Sequence, residues 1–166
     1  MPLLQRTIKL ALATCLAAAL AAFLGLSNAI SAGIIAILSV SDTRRSTIKL
    51  ARNRLLSTIL ALAIGSLSFI LLGFNLWSLG IYILLYVPLA YLFGWEIGIT
   101  PSTVLVTHVL LDHSVSWSLL VNEMAVFLIG TGFALLANLY MASNQQDIDN
   151  YRIQVEEQLR KILLRF

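Results

Sequence analysis

Long apolar stretches alternate with short ones along this chain, and most of its charge lies between them. Four stretches, Leu10–Leu26, Leu55–Leu72, Leu76–Phe93 and Trp117–Met141, are long enough to cross a bilayer, for which about 17 or more apolar residues suffice in a helix. Two more, Ala29–Val40 and Pro101–Leu111, are short, and either cross or re-enter. Ahead of the Leu55 stretch the helical period continues through polar sequence. Arg45, Lys49 and Arg52 fall on one face there, and Ile48, Ala51 and Leu55 on another. Capped by Asp42 or Thr43, this segment predicts one helix of about 45 Å running into the third stretch. At the far end Ile148, Tyr151, Val155, Leu159, Ile162 and Phe166 repeat at i, i+3/i+4. That stripe predicts a cytoplasmic amphipathic helix over residues 142–166, the start of a further domain or a contact between subunits.

Composition fixes the class. Apolar residues make up 59% of the 166 positions and charged residues 11%, whereas a soluble domain carries about 25% charged residues. Such a chain cannot cover a surface facing water, so the pattern predicts an all-α integral membrane protein. The single Cys15 excludes an internal disulfide. Arg6, Lys9 and the small residues around Ser27–Ala29 imitate a signal peptide, but the apolar sequence continues beyond them, which favours an uncleaved first span.

Positive charge orients the spans. Lys and Arg collect on cytoplasmic flanks, and here all eleven lie before the first stretch, between Arg44 and Arg54, or after Tyr151. Six crossings bring every one of them to a single side and predict a plasma-membrane protein with both termini cytoplasmic. Trp77, Trp95 and Trp117 fall at stretch ends, as interfacial aromatics do. The run SDTRRSTIKLARNRLL (Ser41–Leu56) holds five of the eleven cations. It either anchors the topology against anionic lipid heads or attracts an anionic substrate. Because it leads straight into a span, nucleic acid is not a partner.

An offset of 69 positions aligns the two halves without a gap. Gly25 then meets Gly94, Ala21 meets Ala90, Ile30 meets Ile99, Val40 meets Val109, and Leu67 meets Leu136. Arg54 meets Glu123, each at the head of the third stretch of its half. Three spans per unit invert the second unit, so the chain is expected to hold two inverted three-helix repeats, about residues 6–73 and 75–141, in a membrane domain over 1–141. Short or Gly/Pro-interrupted segments at matching positions point to a transporter's binding site, and Gly33 and Pro101 mark them here. The alternative is that small residues there only permit close helix packing.

Few ionisable groups fall inside the apolar stretches, and each is a functional candidate because burying charge in lipid is costly. His108 and Asp112 are spaced i, i+4, and His113 follows. Inversion sets Glu123 on the outer side, where the pattern predicts that it joins Asp112, His113 and, one turn deeper, His108 in a proton-coupling cluster. A polar cap near water is the competing explanation. Histidine changes charge near neutral pH, which suits such a role. Adjacent Asp112 and His113 diverge on a helix, so no metal site is expected. With no nucleophile triad, phosphate loop or nucleotide fingerprint, neither catalysis nor a cofactor is expected. Asn28, Asn75, Asn122 and Asn138 suit interhelical hydrogen bonds.

The segments IKLALATCLAAALAAFLGL, AGIIAILSVSDTRRSTIKLARNRLLSTILALAIG and NEMAVFLIGTGFALLANLYMAS resemble the N-terminal membrane half of the aromatic acid exporter family. That family belongs to the fusaric-acid-resistance-like superfamily, related to plant aluminium-activated malate channels. The resemblance spans about residues 6–160 and is most specific from Asn122-Glu123 through Gly130, Ala134, Asn138 and Leu139 to Tyr140-Met141. Near Arg54 the family usually has glycines where this chain has Ser57 and Ala61. The resemblance implies export of small organic anions, aromatic carboxylates among them. Arg52 and Arg54 are then expected at the cytoplasmic entrance with Gly33 and Pro101 near the substrate, while His108, Asp112 and Glu123 handle the proton. A passive anion channel and a membrane scaffold or sensor acting through the tail are the alternatives. Lipids and a second copy, meeting through membrane helices or residues 146–166, are the expected partners.

Overall fold

Six helices follow one another in the order of the apolar pattern in this computed structural model, which describes residues 3–40, 44–140 and 154–155. They are α1 (Leu3–Phe23), α2 (Ile30–Ser39), α3 (Arg44–Leu72), α4 (Leu76–Leu92), α5 (Ile99–Leu111) and α6 (Trp117–Tyr140), with a 3-10 turn at Glu96–Gly98 before α5. No strand occurs among the described residues. The basic run is part of α3, which continues unbroken for 29 residues, about 43 Å at the helical rise. Asp42 and Thr43, expected to cap it, lie outside the described residues, as does the tail helix apart from Gln154 and Val155, which are helical.

Helix length refines the expectation of six spans. Lys49–Leu72 and Trp117–Asn138 are each long and apolar enough to cross a membrane alone. Thr7–Phe23, Leu76–Leu92 and Glu96–Leu111 are shorter, and the 10 residues of α2 reach only about 15 Å, half a hydrocarbon core. Protein covers one face of α2, which packs on α1 and α6, while Ile30, Ile34 and Ile37 stay exposed on the other. Its last turn leaves carbonyls unpaired, and the Arg54 guanidinium donates to one of them, Leu38 O. Irregular backbone is tolerated at membrane depth only where protein or a water-lined cavity surrounds it.

The halves end their first helices in the same way. After α1, Gly25 adopts φ +69°, with Leu26 N bonded to Ala21 O (3.1 Å) and Gly25 N to Ala22 O (3.0 Å). After α4, Gly94 adopts φ +68°, with Trp95 N bonded to Ala90 O (2.7 Å) and Gly94 N to Tyr91 O (3.1 Å). Every pair differs by the sequence offset of 69. A left-handed residue closing 6→1 and 5→2 bonds is the glycine helix stop, and only glycine adopts that φ without strain.

The third helix of each half is exchanged. α6 packs on α1 and α2, α3 packs on α4 and α5, and the two groups meet mainly along α3 and α6. At one end of the bundle Ser27 bonds to Asn122, and the Phe74 ring lies edge-on to His113. At the other end Asn53 bonds to Gly94 O and Ser57 to Trp95 O. Successive helices therefore run in alternating directions.

On α1 small residues face inward and large ones outward. Along α1, Ala13, Ala17 and Ala21 are buried, whereas Leu12, Leu16, Leu20 and Phe23 are exposed. On α4 the buried row is Ser78, Tyr82, Tyr86 and Ala90. In water this arrangement would expose a continuous apolar belt; in lipid it costs nothing and lets backbones approach closely. Gly130 is one such approach, because a Cβ there would meet the Ala32 carbonyl and Ile35. Trp77 and Trp117 are 85% and 80% exposed at the start of α4 and α6, and Trp95 stacks on Phe93 at the opposite end (4.9 Å).

Candidate functional site

Glu123 lies in the second turn of α6 with no exposed surface. A buried carboxylate is tolerated only when its oxygens are satisfied, and both are. Oε2 lies 2.7 Å from His108 Nδ1 on α5. Oε1 accepts from Asn122 Nδ2 (3.2 Å) and from Asn28 Nδ2 (3.4 Å). Asn28 sits in the turn between α1 and α2 at φ +57°, a conformation asparagine tolerates better than most residues. Asn122 holds that turn to α6 through both its polar atoms: Ser27 N donates to Oδ1 (2.9 Å) and Nδ2 donates to Ser27 O (3.1 Å). The other histidine nitrogen, Nε2, lies 3.1 Å from Ser31 Oγ in the first turn of α2. With Nδ1–H given to the carboxylate, neutral His108 accepts from the serine hydroxyl. The result is a chain, Ser31–His108–Glu123, joining α2, α5 and α6.

Of the expected proton cluster, the structure brings together His108 and Glu123. Asp112 caps the end of α5 and is exposed, and His113, at φ +48°, turns toward Phe74. Helix α5 ends at Leu111, so the i, i+4 geometry that would aim Asp112 at His108 lapses there. Ser31 is a member the sequence did not reveal. It stands 77 residues from His108, and no local pattern singles out one serine among many. Asn28 and Asn122 fill the interhelical roles expected of them, while Asn75 instead caps α4 by accepting from Ser78 N (2.9 Å).

Arg54, 69 positions before Glu123, is buried at the other end of the bundle. Its terminal nitrogen donates to Leu38 O in the last turn of α2, and its Nε has no partner. An unpartnered N–H on a buried guanidinium carries a desolvation cost that an acceptor would relieve. The correspondence with Glu123 is close, since each charge contacts the last turn of the short helix preceding it. Arg52, expected beside Arg54, is exposed, so the structure separates the two. Gly33 is buried against Thr14 of α1, with no room for a Cβ, which favours its packing role. Pro101 is buried in the first turn of α5.

Beside Arg54 lies a hydroxyl network absent from the sequence reading. Ser57 Oγ bonds Tyr86 OH (2.6 Å), Thr58 Oγ1 bonds Ser102 Oγ (2.9 Å), and Tyr82 stacks on Tyr86 (5.2 Å). Gly98 lies so close to Ser57 that a side chain there would collide with it. These hydroxyl pairs tie α3 to α4 and α5 one turn beyond Arg54. Among the described residues no group of three metal-ligating side chains is found.

Comparison with known proteins gives two matches. The family model for aromatic acid exporter family member 1 matches residues 1–141. Over 152 residues the chain is 34% identical to the uncharacterized protein YqjA of Bacillus subtilis (strain 168), covering 92% of this chain and 47% of that protein. The chain thus spans about half the length of this relative. No solved structure matches.

Proposed function

The chain belongs to the aromatic acid exporter family, and on that premise we propose that it is a secondary transporter moving small organic anions out of the cell across the plasma membrane, driven by proton entry. Six crossings and two inverted repeats are part of this proposal. Their support is the shared glycine stop, the exchanged third helices and the alternating helix directions. The observation that carries the function is the pair of opposite charges at one repeat position. Arg54, with a free Nε, suits a carboxylate at the inner end, and Glu123 with His108 suits a proton at the outer end. Asp112 remains the exposed group from which a proton would reach them, and Arg52 draws anions toward Arg54. Alternating access around a fixed midplane site is the usual plan of repeat-built carriers.

Ser31–His108–Glu123 also has the connectivity of a nucleophile, base and orienting acid. Acyl transfer needs in addition main-chain donors aimed at an oxyanion. The N–H groups of Ser31 and Ala32 are already bonded to Asn28 O and Ala29 O. Passing a proton requires no such donors, so the relay fits proton transfer better.

Purified protein in vesicles, loaded with a panel of aromatic carboxylates, is expected to show efflux that accelerates with an inward proton gradient. Efflux indifferent to that gradient would make it a passive anion pathway, and no flux of any anion would favour a scaffold or sensor. Orientation has its own check, in a variant lacking Cys15. A cysteine at Ser114 is expected to react with an impermeant thiol reagent on whole cells and one at Lys49 is not; the reverse result defeats the topology.

A further inference from the structure

Lys9 is buried, at 6% exposure, and it stands first in the row of residues lining a groove between α1 and α6. The rest of that lining is apolar: Leu12, Ala13, Leu16, Phe133, Leu136 and Ala137 enclose about 310 Å³. From Lys9 to Leu16 the row is about 10 Å long by the helical rise. Within the membrane reading proposed above, on which this inference rests, the groove faces lipid. Its charged end lies at the end of the bundle where α3 begins and Arg54 is buried.

We propose that this groove holds one anionic phospholipid of the inner leaflet, its phosphate on Lys9 and the start of an acyl chain along Leu12, Leu16, Phe133 and Leu136. A lysine at this depth extends its apolar stem along the helix and its ammonium toward the head groups. Lys9 already has a partner within the protein, but an ammonium has three hydrogens to donate, so a phosphate oxygen can be added. An anionic head group in turn offsets the cost of a cation against an apolar wall. A free phosphate would meet the charge and leave the groove unfilled. A zwitterionic lipid would fill the groove and answer the charge less well.

Native mass spectrometry of the full chain in detergent, with phosphatidylglycerol and phosphatidylcholine of identical acyl chains, tests this. Retention of phosphatidylglycerol is expected to exceed that of phosphatidylcholine about fivefold, the contribution of roughly one cation near an anionic surface. Lys9→Gln is expected to equalise the two lipids, and Lys9→Arg to keep the preference. A preference that survives in Lys9→Gln, or equal retention by the wild type, overturns the proposal. So does glycerol phosphate binding as well as the lipid, since the groove would then contribute nothing. Alkaline extraction of membranes distinguishes the underlying reading. A chain that washes off defeats the membrane assignment, whereas one that stays but shows no lipid preference defeats only this inference.

Discussion

Glu123→Gln is expected to abolish concentrative, pH-driven export while leaving downhill exchange of the same anion intact. Both oxygens of this carboxylate are committed, one to His108 and one to Asn28 and Asn122. Glutamine matches the shape and retains an acceptor, but it cannot take up or release a proton at this position. Some loss of stability accompanies the change, because an amide facing two asparagine amides leaves buried donors poorly matched, at about 1–3 kcal/mol. Helicity and elution in detergent separate that loss from the transport defect. His108→Gln is expected to resemble Glu123→Gln, since Nδ1 is the carboxylate's route to Ser31. Asp112→Asn, at an exposed cap, is expected to slow pH-driven export rather than eliminate it. If Glu123→Gln builds a substrate gradient at the wild-type rate, the Ser31–His108–Glu123 chain is a structural lock between α2, α5 and α6 and no more.

The second large effect is expected at Arg54. Arg54→Gln removes a buried charge that bonds Leu38 O and keeps an unpartnered Nε. A hydrogen bond to a charged group contributes about 1.5–3 kcal/mol, so the half-saturating concentration of a carboxylate substrate is expected to rise roughly 10- to 100-fold. Arg52→Gln removes an exposed charge, for which at most about 1 kcal/mol, or roughly fivefold, is expected. Arg44→Gln, further out along the basic run, is expected to behave like Arg52→Gln. Arg54→Lys keeps the charge and loses the fork, so it should fall between. Equal small effects at all three arginines would reduce the run to a topological anchor.

Most of the helix order was legible because lipid imposes a strong rule on sequence: apolar stretches must run unbroken, and their ends must be polar or glycine. The offset of 69 was legible because no insertion disturbs it, so Gly25 met Gly94 and Arg54 met Glu123 in the sequence alone. Exchange of the third helices was not legible, since offset gives correspondence between halves and says nothing of which helix packs on which. Within the site, His108 and Glu123 could be named because ionisable groups are rare in these stretches. Their direct contact, and Ser31 with them, depends on how α2, α5 and α6 converge. Asp112 was drawn into the cluster by helical spacing that ends one residue too early for it. Gly33 was ambiguous for a physical reason: a glycine that exposes backbone to a ligand and one that admits a neighbouring helix are the same letter.

Exchange of α3 and α6 between the halves also sets the order of events during synthesis. Helices leave the ribosome from α1 onward, yet α1 and α2 must wait for α6, the last of these six to emerge. Helix α3, inserted early, finds its partners only when α4 and α5 follow. A nascent chain halted after Leu72 therefore contains three of the six helices and neither packing group complete. Until α6 arrives, His108 lacks Glu123, and the inward rows of small residues on α1 and α2 lack their final neighbour. Quality control thus meets α1 and α2 without their largest partner until α6 emerges, and the 24 residues of α6 decide whether the first helices were worth inserting.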